Sequence, residues 1–159
     1  MKEPSFITII TLIHMKKPII YLLAFNATTA ILGGIALIVG WNGGISESVL
    51  RYTFFGDNLL WPGIILTFIV GGSALAALLL FIKNHEYAPL VALLSGFIMD
   101  TWILAEMLLI VDFSWLQVLY LMTGIAVIIL SAEYIISHLE QNTPGRKNHK
   151  EQSRAASHQ

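Results

Sequence analysis

The chain of 159 residues contains no cysteine. That removes disulfides, thiol redox chemistry, thiolate metal sites and cysteine nucleophiles in one step. Charge is scarce as well. Only 12% of the residues are charged, about half the quarter usual in soluble domains. A net charge of −1 supplies no basic surface for phosphate backbones, which excludes nucleic acid as a partner. The histidines, His14, His85, His138, His149 and His158, lack the spacing of a metal-binding helix. No serine sits in a Gly-x-Ser-x-Gly elbow, and no lysine follows Gly71-Gly72-Ser73 to make a phosphate loop. No cofactor or metal is therefore expected, and an intramembrane enzyme ranks last among the function classes.

What the chain does have is apolar length. It is 56% hydrophobic, with a mean hydropathy of +0.73, and the long runs place it in the membrane class. A span needs roughly 20 apolar residues. Four runs qualify: 18–40, 62–82, 88–111 and 114–136. The expectation is an all-α membrane protein, a four-transmembrane-helix bundle over 18–137. The segment 1–17 precedes it. Its apolar part, Phe6 to Ile13, is too short to cross and predicts a short interfacial helix. Pro18 and Pro62 read as helix starts, where a missing N–H is harmless. The polar stretch 138–159 has no apolar period and predicts a disordered tail.

Lysine and arginine orient the bundle. With four spans, Lys2, Lys16, Lys17, Lys83, Arg146, Lys147, Lys150 and Arg154 fall on one side and Arg51 alone on the other. The positive-inside rule then puts both termini in the cytoplasm. The loop of roughly 20 residues between the first two spans, bracketed by Trp41 and Trp61, faces outward.

Small residues mark where helices meet. Asn26, Ala30 and Gly34 recur at four-residue spacing on the first span. Gly63, Thr67, Gly71 and Ala74, joined by Gly72, Ser73, Ala76 and Ala77, form a longer seam on the second. Gln117, Gly124 and Ser131 fall seven apart on the fourth. On a wheel of the third span, Ala88, Ala92, Ser95, Gly96, Met99, Asp100 and Glu106 share one face, and Leu90, Leu94, Phe97, Leu104 and Leu108 the other.

The third span also carries the chain's oddity, two acids in an apolar run. Asp100 and Glu106 lie about 9 Å apart along the axis, too far to share a proton. Acids inside a membrane helix rarely face lipid and often mark a bundle interior or an ion path. At about 1.5 Å per residue, Asn26, Thr29, Ser73, Asp100 and Thr123 come out near the midplane. Thr67, Glu106 and Gln117 form a second layer toward the outside, within reach of Arg51. Both acids have a bland reading as hydrogen-bonded packing groups; the sharper reading is a proton or cation site for Asp100, and for Glu106 an ion pair with Arg51 or an acid in an outward-opening cavity.

Phe55-Gly56-Asp57-Asn58-Leu59-Leu60-Trp61-Pro62-Gly63, and Ser114-Trp115-Leu116-Gln117-Val118-Leu119-Tyr120 with Gly124, resemble a widespread family of small bacterial four-helix (tetraspan) inner-membrane proteins. The resemblance covers most of 18–136. It implies a multi-pass protein of the bacterial inner membrane and no particular activity. The four-span layout is also loosely similar to DoxX-like membrane proteins, without a shared motif that carries a function over. The function expected is that of a non-catalytic subunit, helper or small binding module. The alternative is a proton- or ion-coupled small carrier using Asp100 and Glu106. The partners expected are the lipid bilayer and either a second copy or another membrane protein.

Overall fold

The computed structural model describes residues 6–41, 58–109 and 114–142. These form four helices and, among the described residues, no strand. Helix α1 is Phe6–Ile38. Helix α2 is Leu60–Ile82, built from an α-turn Leu60–Ile64, a π-helical stretch Ile65–Gly71 and an α-helix Gly72–Ile82. Helix α3 is Ala88–Leu109 and α4 is Trp115–Asn142. Each is long and apolar enough to cross a bilayer, over Lys16–Ile38, Leu60–Ile82, Ala88–Leu108 and Trp115–Leu139. The helices close a ring in chain order, α1 against α2 and α4, and α3 against α2 and α4.

Two expectations about helix starts change. The piece expected as a separate interfacial helix is the opening of α1, which runs unbroken through Pro18. Pro18 is thus inside a helix, not at its first position. It removes one N–H, a loss that neighbouring helices and water make good in membrane helices. At 33 residues, α1 is about 50 Å long; its first turns extend past the apolar stretch that begins at Lys16. Pro62 does lie in the first turn of α2, where backbone N–H groups have no helical acceptor anyway.

Facing surfaces follow the sequence pattern. Ala88, Ala92, Ser95, Gly96, Met99 and Ile103 of α3 are buried, while Leu90, Leu94, Phe97, Leu104 and Leu108 are exposed. Phe68 is 70% and Leu108 88% exposed. Rows of large apolar side chains left outside on every helix suit lipid, not water. Lipid tails are as apolar as leucine, so close packing, rather than escape from water, must hold such helices together. One core cluster joins Ile19, Leu23, Ala77, Phe81, Ala88, Ala92 and Val127; another joins Ala30, Val70 and Met99.

Glycine provides that packing. A Cβ on Gly34 would come within 2.7 Å of the Gly63 carbonyl oxygen and the Thr67 nitrogen. One on Gly63 would come within 2.7 Å of the Gly34 carbonyl oxygen. One on Gly71 would come within 2.6 Å of Ile31. The backbones of α1 and α2 therefore touch. The π stretch keeps them in touch: a stripe at four-residue spacing drifts about 40° per step round an α-helix. The wider π turn takes back part of that drift, and Gly63, Thr67 and Gly71 all stay on α1. The seam is narrower than expected, however. Gly72 has nothing within 4 Å of its Cβ position, and Ala76 is exposed.

Candidate functional site

The polar interior is assembled from α1, α3 and α4. Asn26 of α1 is only 3% exposed. Its Oδ1 accepts a hydrogen bond from Thr123 Oγ1 of α4 at 3.0 Å. Thr123 Oγ1 also lies 2.9 Å from the Tyr120 carbonyl, so its single proton is shared between its own helix and Asn26. One turn away along this seam Phe25 stacks on Tyr120, with ring centroids 6.0 Å apart. Asn26 and Thr123, which the sequence places at similar depth, are thus bonded to each other.

Asp100 of α3 faces Gly124, the residue after Thr123 on α4. A Cβ on Gly124 would overlap its Oδ1 and lie 2.8 Å from its Cγ. Gly124 is thus the notch that receives the carboxyl group. Between the same two helices, a Cβ on Gly96 would come within 3.0 Å of the Gly124 carbonyl oxygen. Asp100 Oδ1 is buried with no hydrogen-bond donor among the described residues. Two other buried hydroxyls share that state, Thr67 Oγ1 against Gly34 and Ser131 Oγ on α4. Buried polar atoms are ordinarily partnered; Asp100 Oδ1 is the one carboxylate oxygen in this state among the described residues. A protonated carboxyl could use its own O–H as donor; a carboxylate there requires a cation or water.

The remaining candidates separate from this centre. Ser73 Oγ donates to the Val70 carbonyl of its own helix at 2.9 Å, and Thr29 Oγ1 to the Phe25 carbonyl at 2.7 Å. Both hydroxyls therefore satisfy backbone, not Asp100. Among the described residues no hydrogen bond joins Thr67, Glu106 and Gln117. Thr67 packs on Gly34. Gln117 Oε1 accepts from the Ser114 backbone N–H at 3.1 Å, while Ser114 Oγ accepts from the Leu116 N–H at 3.3 Å. Gln117 thus forms the back-reaching half of a capping box, and Ser114 Oγ caps the second N–H of α4 instead of the third. The Ser-x-x-Gln spacing at 114–117 is the sequence signal for this cap. Glu106 is half-buried toward the end of α3. Arg51, its expected partner, lies outside the described residues.

A second polar cluster was not anticipated. At the end of the bundle that holds the α2–α3 turn, Lys16 Nζ donates to Asn84 Oδ1. Tyr134 meets Phe81 edge-on at 5.9 Å and stacks on His138 at 6.4 Å. These groups surround a cleft of about 210 Å³. No spacing motif joins Lys16, Asn84 and His138, which come from two different helices and a turn.

Comparison with protein-family models, with curated proteins and with solved structures finds no match. The four helices, each long and apolar enough to cross a membrane, are compatible with an integral membrane protein.

Proposed function

We propose that this chain is a multi-pass protein of the bacterial inner membrane that acts as a non-catalytic helper or small binding module. In this reading both termini and the α2–α3 turn face the cytoplasm, and the segment between Trp41 and Trp61 faces outward. The observation that carries it is the pair of glycine seams. Gly34 with Gly63, and Gly96 with Gly124, bring helix backbones together. Such packing makes a stiff scaffold with little freedom for the helix rearrangement that alternating access needs. The resemblance to small tetraspan proteins belongs to the same proposal. Four positions that carry it hold the bundle: Gly63 and Gly124 at the seams, Gln117 in the cap, Tyr120 against Phe25.

The second reading, a proton- or ion-coupled carrier, is favoured by one observation, the buried and donorless Oδ1 of Asp100. Proteoliposomes separate the two. A helper gives no proton entry above protein-free vesicles, and Asp100→Asn changes nothing. It also retains a membrane partner that is lost when the 42–57 segment is replaced. A proton flux present in the wild type and abolished in a folded Asp100→Asn protein would overturn the helper reading.

A further inference from the structure

We propose that the cleft at the α2–α3 turn end binds the phosphate of an anionic phospholipid headgroup. The cleft lies at headgroup depth. Lys16, Ile82, Ala88 and Leu139 are the terminal residues of the four apolar stretches, and the cleft is built from Lys16, Phe81 and Ala88 together with the adjoining turn and His138. Its floor is apolar, with Phe81, Ala88 and Pro89 buried and Tyr134 half-buried. Its rim is polar and exposed at Asn84, His85, Glu86 and His138. A glycerol and the first carbons of an acyl chain suit such a floor, and a phosphodiester suits such a rim.

The donors converge there. Lys16 has three ammonium hydrogens; Asn84 Oδ1 takes one, leaving two for an anion. Asn84 is held for this contact by a left-handed backbone, φ 53°, a conformation asparagine tolerates well. His85 Nδ1 accepts from the Tyr87 N–H at 3.4 Å, which places the hydrogen of a neutral ring on Nε2 and makes it a donor. His138 is fixed by its stack on Tyr134. Helix α3 begins at Ala88 and α2 ends at Ile82 beside it, so their opposed end charges offset each other at the floor and Lys16 carries the attraction. Glu86 is the one carboxylate lining the cleft among the described residues. The cleft's volume of about 210 Å³ leaves room for a phosphodiester.

The inference rests on the bundle spanning a bilayer, which resistance of the protein to alkaline extraction from membranes tests separately. The site is tested with the full chain in mild detergent, by native mass spectrometry with phosphatidylglycerol or phosphatidylcholine added. We expect phosphatidylglycerol to be retained about tenfold better, and Lys16→Gln to remove most of that preference. Glu86→Gln takes a repelling charge off the rim and should raise retention of phosphatidylglycerol, a gain that a misfolded protein cannot give. Equal retention of the two lipids, or no change in either variant, overturns the proposal. Displacement of bound lipid by millimolar inorganic phosphate overturns the lipid assignment and makes the cleft a site for free phosphate.

Discussion

At the scale of single residues, the glycines divide into those that have neighbours and those that do not. A methyl group at Gly34 meets backbone atoms, the Gly63 carbonyl oxygen and the Thr67 nitrogen at 2.7 Å, and backbone cannot step aside. We expect Gly34→Ala to lower stability by about 1–3 kcal/mol, the usual cost of overpacking. At Gly124 the obstacle is the end of the Asp100 side chain, which can swing. Gly124→Ala should therefore cost about 1 kcal/mol, and less in an Asp100→Ala background, because the two positions share one space. Gly72 has open space around it, and Gly72→Ala should gain up to about 1 kcal/mol from helix propensity. Thermal unfolding in detergent, followed by tryptophan emission, ranks the three. If Gly34→Ala melts with Gly72→Ala, the backbone contact of α1 with α2 does not exist.

Elements depend on features that a helical wheel does not contain. The buried faces of α3 and α4 were legible in the sequence, because a period of 3.6 sorts Gly96, Asp100, Gly124 and Ser131 from Leu90, Phe97 and Ile129. The π stretch of α2 was not legible, since a wheel presumes equal turns throughout. Pro18 misled for a related reason: its ring marks a helix start in water, yet α1 passes through it. Orphan hydroxyls such as Ser131 Oγ and Thr67 Oγ1 were also beyond reach, because depth along a span says nothing about which way a side chain bonds. Gln117 is the instructive case. Its side chain belongs to the Ser114 cap. Gln117→Ala should then cost roughly 1 kcal/mol, as loss of a helix cap does, and should speed amide hydrogen exchange at the start of α4. Unchanged protection at Ser114, whose N–H the Gln117 side chain accepts, would place the residue in a role other than capping.

For the whole molecule, the ring of helices and the distribution of charge are independent facts that bear on one question, the direction in which the bundle lies. The bond between Lys16 and Asn84, and the cleft joining Lys16 to His85 and His138, place the start of the first span, the α2–α3 turn and the end of α4 at one end. Lys17 and Lys83 belong to that end by chain position. The remaining basic residues except Arg51 lie N-terminal to α1 or C-terminal to α4. An even number of spans therefore collects eight of the nine lysines and arginines on one side. Lysine and arginine near span ends are held on the cytoplasmic side during insertion, so that end should be inside. The absence of cysteine makes the test clean, since a single introduced thiol reports its own position. A membrane-impermeant maleimide should label Ser48→Cys in intact spheroplasts, and should label Glu86→Cys only after the membrane is opened. The reverse pattern would invert the bundle. It would also move the phosphate-binding cleft to the outer leaflet, where the same headgroup chemistry could still reach it. Labelling of both sites from outside would mean that the four apolar helices do not all cross.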